Sequence, residues 1–185
     1  IEVKVGVLEE EARNLNEVFV KFITTKIPYV IAKWAMTLDG KIATVSGDSK
    51  YISALDSLKI VHQLRTEVDA VLVGGRTVIK DNPLLTVRHI EGNYKNPIRI
   101  VLDTKEPLTD ELNIFKDKVS APTWVATSYQ RDYPFADKII KLDPVEKGYV
   151  PLNELMRELG KLEITSVLIE GGGETLSSAF NQQIV

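Results

Sequence analysis

Hydrophobic and polar positions change period in a regular order along this chain. Leu8, Ala12, Leu15, Phe19 and Phe22 recur at steps of four and three, which is the stripe of a single amphipathic helix, and Pro28 ends it. Ahead of that helix, Ile1-Glu-Val-Lys-Val5 reads as a strand. The run Tyr29-Val-Ile-Ala-Lys33-Trp34-Ala-Met36 is a buried strand with a lysine inside it, and because a bare ammonium is costly to bury, Lys33 must be paired or face a pocket. A helix is predicted from Ser53, with Ser53 as N-cap, Asp56 three residues on, and Leu55, Leu58, Val61 and Leu64 on one side. Further strands follow over residues 68–74, 97–103, 124–127, 138–142 and 165–169, with a helix over 151–162 and a loop at Asp81-Asn82-Pro83. Strands alternating with helices predict an α/β sheet, largely parallel and covered on both faces.

Two of these strands end in glycine. Ser166-Val-Leu-Ile169 runs into Glu170-Gly171-Gly172-Gly173-Glu174-Thr175-Leu176, and a helix is expected next. Glycines at such a turn let the backbone come close to a ligand, and the first N–H groups of the helix point at an anion. Val68-Asp-Ala-Val-Leu-Val-Gly74-Gly75-Arg76-Thr77 repeats the arrangement and adds a fixed cation and a hydroxyl. Together the two strand ends point to a dinucleotide. The glycines are contiguous and late in the chain, so they do not form the G-x-G-x-x-G fingerprint of a Rossmann unit.

Composition narrows the classes. The chain has 185 residues, enough for one core, and 44% hydrophobic with 26% charged residues is ordinary for a globular protein. A net charge of −3 speaks against electrostatic capture of nucleic acid, and neither a membrane span nor a signal peptide is evident. Cysteine is absent, which excludes disulfides, thiolate zinc sites and cysteine nucleophiles and is compatible with a reducing cytoplasm, the expected location. His62 and His89 are the only histidines, stand far apart in sequence and have no ligand companion at useful spacing, so no metal site is assigned. The run Glu9-Glu10-Glu11 fits a solvated first helical turn.

A series of segments in order then resembles one family: Lys33-Trp-Ala35-Met-Thr-Leu-Asp39-Gly40-Lys-Ile-Ala43, Gly47-Asp-Ser49, Arg65 at a helix end, Val73-Gly-Gly-Arg-Thr77, Asp81-Asn-Pro83-Leu-Leu-Thr-Val-Arg88 and Glu170-Gly-Gly. They are similar to the motifs of the riboflavin-biosynthesis pyrimidine reductases. The resemblance covers residues 28–185. It implies a dihydrofolate-reductase-like α/β fold with a mostly parallel central sheet. It also implies NADPH as reductant, and reduction of 5-amino-6-(5-phosphoribosylamino)uracil to its ribitylamino product. Residues 1–27 resemble the junction that follows a zinc deaminase domain in bifunctional members. The deaminase signature is missing, so deamination is not assigned to this chain, and the family's last strands are expected to be missing as well.

By the same resemblance Ala35, Tyr51, Arg76, Thr77, Asp81, Gly172, Gly173, Thr175 and Leu176 are expected to contact the cofactor. Of these, Gly172, Gly173, Thr175 and Leu176 would cradle its diphosphate and Arg76 would meet its 2′-phosphate. Core packing is the other reading of Tyr51, and solvation that of Arg76. Ser49, Arg65, Leu85, Arg88 and Glu170 match substrate positions, where Ser49 and the two arginines suit a phosphate dianion. A helix-terminal cation is the alternative for Arg65. Lys33, Asp81 and Glu170 are the candidate polar groups at the reacting centre, Asp81 being a possible partner of Lys33. Asp39 is read as a turn residue. Two rival functions remain: a reductase of dihydrofolate or another substrate, which would want an isolated carboxylate on the first long helix, and a nucleotide-binding domain without catalysis. A homo-oligomer, dimer or larger, is expected, with covalent linkage to a deaminase domain in the full-length protein.

Overall fold

The computed structural model describes residues 1–47, 49, 52–143 and 149–185. Strands β1 (Tyr29–Lys33), β2 (Ala70–Gly74), β3 (Ile98–Leu102), β4 (Thr123–Thr127), β5 (Lys138–Lys141) and β6 (Ser166–Glu170) form one sheet in the order β1-β6-β2-β3-β4-β5. Every pairing in it is parallel, so the sheet is more uniform than the largely parallel one expected. β6 is the last strand in the chain, yet it lies between β1 and β2, with Lys33 in register with Glu170.

Alternation along the strands sorts their side chains into two cores. Ala70 and Leu72 of β2, Ile100 of β3, Val167 and Ile169 of β6 face one side, where α6 (Leu152–Lys161) brings Leu155, Met156 and Leu159 and α7 (Gly173–Asn181) brings Leu176 and Ala179. Val71, Val73, Val101, Val125 and Leu168 face the other, against Leu64 of α3 (Leu55–Glu67), Val78 of α4 (Gly75–Asp81) and Ile114 and Phe115 of α5 (Asn113–Lys116). Both faces are therefore covered, as a parallel sheet requires.

The N-terminal region departs from the sequence expectation. The single helix is broken at Asn16 into α1 (Glu9–Leu15) and α2 (Glu17–Thr25). Asn16 leaves helical geometry at φ −109°, ψ 16°, and its side-chain amide donates to the Ala12 carbonyl at 2.8 Å, a local bond that competes with the helix ladder. Residues 1–5 form no strand; their side chains are exposed and no neighbouring strand takes up their backbone groups. The N-cap of α3 is Ala54, one residue beyond the expected Ser53, and no side chain caps it. The short helices α4 and α5 were not legible in the hydrophobic pattern.

Two buried polar groups tie loops to this frame. The Arg99 side chain on β3 is fully buried and donates to the carbonyls of Leu84, Asp117 and Ala121 and to the Asp117 carboxylate. Burial lowers its pKa, and the Asp117 charge opposes that shift. His62, buried on α3, accepts the Arg88 backbone N–H on Nδ1 at 3.0 Å and packs edge-on against His89, with 5.2 Å between ring centroids. The two histidines that stand far apart in sequence are thus in contact. Burial first, then the positive charges of Arg65, Arg88 and His89, lower the His62 pKa to about 4, with Glu170 acting in the opposite sense.

Both ties are testable by chemical denaturation. Arg99→Met should cost about 2–4 kcal/mol, because it takes the donor from the buried Ala121 carbonyl and from the half-buried Leu84 and Asp117 acceptors; a loss under about 1 kcal/mol would show that the loops hold without it. For His62 the unfolded chain binds the extra proton between its ordinary pKa of 6.5 and the folded value of about 4, so stability falls as pH drops through that window. Wild type should lose up to about 3 kcal/mol more than His62→Gln between pH 7 and pH 4. Parallel pH profiles would contradict the buried neutral imidazole.

Candidate functional site

All strands point the same way, so their C-terminal ends gather along one edge of the sheet. At β6 the chain leaves toward α7 on one face, whereas its neighbours β1 and β2 lead to α3 and α4 on the other. Such a switch of direction opens a crevice beyond the strand ends. The crevice here consists of two adjoining cavities.

The larger, of about 430 Å³, lies over the ends of β2, β3 and β4 and the start of α7. Gly74, Gly75, Arg76 and Thr77 line it side by side with Gly172, Gly173, Glu174 and Thr175. The two turns are packed closely: a Cβ on Gly74 would stand 2.7 Å from the Thr175 hydroxyl, and one on Gly172 would stand 2.9 Å from that of Thr77. Gly172 also takes φ 79°, a left-handed conformation that disfavours side chains. The first intrahelical bond of α7 runs from the Leu176 N–H to the Gly172 carbonyl, which leaves the N–H groups of Gly173, Glu174 and Thr175 without helical acceptors beside the cavity. Free amides, two hydroxyls and the cations Arg76, Lys80 and Lys105 form a donor set suited to a diphosphate.

The smaller cavity, of about 250 Å³, lies over the ends of β1 and β6 and is lined by Lys33, Trp34, Ala35, Glu170, Gly171 and Leu176 among others. Ile42, Ser49, Thr77, Asp81 and Gly172 line both. A ligand spanning the two would pass over Thr77 and Gly172.

Most of the residues expected from the sequence meet here. Thr77, Asp81, Gly172 and Ser49 stand at the junction, Gly173, Thr175 and Arg76 in the larger cavity, and Lys33, Ala35, Leu176 and Glu170 in the smaller. Lys33 makes no hydrogen bond or ion pair with Asp81. Arg76 is exposed and solvated, and its Nη1 lies 2.5 Å from the equally exposed Glu174 carboxylate. Tyr51 lies outside the described residues.

Three substrate candidates are placed otherwise. Arg65 is buried and holds Glu170 through two bonds, Nε to Oε1 at 2.5 Å and Nη2 to Oε2 at 2.8 Å, while its Nη1 donates to the Thr86 carbonyl at 2.7 Å. Both of these side chains are about nine-tenths buried. Neither is a simple helix-terminal cation or an open carboxylate: each neutralises the other beneath the smaller cavity. Leu85 is buried in the core with φ 53°, away from both cavities. Arg88 is exposed, and its side chain reaches the Thr86 hydroxyl at 3.4 Å.

The wall after β3 and β4 was missed in the sequence. Asp103 is buried and accepts the Tyr133 hydroxyl at 2.7 Å, the Thr127 hydroxyl at 2.6 Å and the Thr104 N–H at 2.7 Å. Burial first, then the bond to Asp103, raises the Tyr133 pKa. Asp103, Thr104, Lys105 and Tyr129 all line the larger cavity. The available signal was Asp103 itself, a carboxylate directly after the apolar run Ile100-Val-Leu102. Asp39 accepts the Thr37 hydroxyl at 2.5 Å and pairs with Lys41, in keeping with a turn role. Among the described residues no group of His, Cys, Asp and Glu is arranged to hold a metal ion, and no helix is long and apolar enough to cross a membrane.

Comparisons with known proteins agree with this architecture. The riboflavin biosynthesis protein RibD of Aquifex aeolicus is 44% identical over 181 residues, covering 96% of this chain and 49% of that protein. RibD of Escherichia coli K12 is 34% identical over 195 residues, covering 98% of this chain and 52% of its own length. The chain therefore spans about half the length of these curated relatives. The crystal structure of a diaminohydroxyphosphoribosylaminopyrimidine deaminase/5-amino-6-(5-phosphoribosylamino)uracil reductase from Thermotoga maritima superposes with a TM-score of 0.82 at 38% identity, over 98% of this chain and 49% of that one. The riboflavin biosynthesis reductase Rib7 of Saccharomyces cerevisiae, at 22% identity and a TM-score of 0.68, shares the fold over 93% of this chain and 79% of its own. Residues 28–185 match the family model described as RibD C-terminal domain, and the chain belongs to that family of riboflavin-biosynthesis reductase domains.

Proposed function

We propose that this domain binds NADPH across the larger cavity and reduces the ribosyl group of 5-amino-6-(5-phosphoribosylamino)uracil, bound in the smaller one, to a ribityl group. The observation that carries this reading is the junction of the two cavities at Thr77, Asp81 and Gly172, between two glycine turns whose free amides suit a diphosphate. NADPH, when bound, supplies a hydride. The protein's part is to hold the acceptor carbon, exclude water and deliver a proton.

The acceptor is ribosyl C1′ in its opened, imine form. Ring opening transfers the N–H proton to the ring oxygen and leaves a C1′=N bond. The hydride adds to C1′, the π electrons pass to nitrogen, and nitrogen then takes a proton. Lys33, Asp81 and Glu170 are ionisable groups on the smaller cavity. Both Glu170 oxygens are held by Arg65, so Glu170 acts as an acceptor for N–H groups of the pyrimidine and not as an acid. We assign proton delivery to Lys33, which ends β1 beside Glu170. With Arg65 committed to Glu170, the phosphate falls to Ser49, which lines the smaller cavity, and to Arg88, whose exposed side chain would turn toward it from outside the cavity wall.

The carboxylates of α3 weigh against a dihydrofolate reductase, since a pterin would need an isolated carboxylate on the first long helix, facing the pocket. On α3, Asp56 is exposed and paired with Lys59, and Glu67 is exposed at its far end. The doubled length of the relatives supports a fused deaminase domain in the full-length protein, with residues 1–27 as the junction and residues 28–185 as the reductase; a cytoplasmic homo-oligomer remains part of the same proposal.

The test is NADPH oxidation by the chain with the phosphoribosylaminopyrimidine, run beside dihydrofolate. Turnover of the pyrimidine alone is expected, with kcat lowered about 100-fold or more in Lys33→Met and KM raised in Arg88→Ala. Turnover of dihydrofolate would overturn the substrate, and a wild-type kcat in Lys33→Met would overturn the proton role.

A further inference from the structure

The larger cavity ends in a feature that the cofactor and substrate readings above leave unused. Tyr129 follows β4, is half-buried and lines the cavity. Its backbone is fixed by its N–H donating to the Thr127 hydroxyl at 3.0 Å. The Arg131 guanidinium lies over the ring, its central carbon 4.4 Å from the ring centroid, and Arg131 itself is not part of the cavity wall. Arg131 is held in turn by the Thr104 carbonyl at 2.6 Å, the Lys105 carbonyl at 2.7 Å and the Asp103 carboxylate at 3.3 Å. Asp103 is buried and receives the hydroxyls of Thr127 and Tyr133 as well.

The chain thus spends a buried carboxylate, a guanidinium and two hydroxyls on holding one aromatic ring at the edge of a cavity. With a cation on one side, a tyrosine ring offers its remaining surface as a flat, polarisable platform, and planar heteroaromatic bases stack on such platforms irrespective of their hydrogen-bonding pattern. Lys105, on the same wall, places a positive charge beside it.

We propose that Tyr129, braced by Arg131 and the buried Asp103, is the stacking platform for the adenine end of the dinucleotide. The proposal rests on the NADPH reading above. It puts the purine over the end of β4, the diphosphate over the two glycine turns, and the nicotinamide toward the smaller cavity, which is the order in which these features lie along the sheet edge.

Isothermal titration calorimetry on the full chain with NADPH, adenosine 2′,5′-bisphosphate and reduced nicotinamide mononucleotide tests it, alongside thermal melting of each variant. Tyr129→Leu should weaken adenosine 2′,5′-bisphosphate and NADPH roughly tenfold or more, leave reduced nicotinamide mononucleotide unchanged, and melt within a few degrees of wild type. Tyr129→Phe keeps the platform and should bind as wild type does. Wild-type affinity for the bisphosphate in Tyr129→Leu would overturn the platform alone. So would an equal loss for both fragments, or a loss confined to Tyr149→Leu, since Tyr149 lines the same cavity. No binding of NADPH or its fragments by wild type would overturn the cofactor reading, and the platform with it.

Discussion

Parallel pairing is the constraint on which the rest of this structure depends. A parallel strand cannot return by a hairpin, so each crossover must climb back along a face of the sheet, and all strands then release the chain at one edge. Six strands do so here. Because β6 enters last between β1 and β2, its turn into α7 on one face meets the turns from β1 and β2 toward the other. The crevice is a consequence of that strand order. The glycines at the two turns are then required for a second reason: the Thr175 and Thr77 hydroxyls occupy the space that side chains at Gly74 and Gly172 would need.

Buried polar pairs fix what the sheet leaves loose. Arg65 and Glu170 join α3 to the end of β6 and, through the Thr86 carbonyl, hold the loop before Arg88. Removing two charges from water is expensive, and such a pair tends to lower stability relative to apolar packing of the same volume. What it supplies is position: a carboxylate aimed into the smaller cavity with both oxygens accounted for. Asp103 plays the corresponding part on the other side, gathering Thr127, Tyr133 and Arg131 around one carboxylate. The electrostatic frame of the crevice therefore comes from groups whose own charge is already satisfied.

The sequence disclosed those parts of this arrangement that depend on local pattern. Apolar runs located every strand of the sheet, and glycines after two of them located the larger cavity. Partnerships between distant residues were hidden. Arg65 and Glu170 were each expected at the substrate by resemblance alone, and nothing in the spacing shows that they satisfy each other across 105 positions. His62 and His89 looked unrelated because their contact depends on the loop at residues 82–89 folding back over α3. Asn16 split a helix whose apolar stripe was continuous, since a single side-chain bond outweighed the periodicity. Lys33 was expected inside a buried strand over residues 29–36, paired or facing a pocket; the strand instead stops at Lys33, which is half-buried on the wall of the smaller cavity, and Trp34 and Met36 beyond it are exposed.

A nicotinamide held in the smaller cavity against the sugar carbon of a phosphoribosylaminopyrimidine, as proposed, would pass its hydride to that carbon. The most direct measurement is the fate of the hydride, followed by mass spectrometry and NMR with NADPH deuterated at both C4 positions. A ribitylamino product carrying a single deuterium at C1′ is expected. An unlabelled ribityl product, or deuterium on the pyrimidine ring, would contradict it.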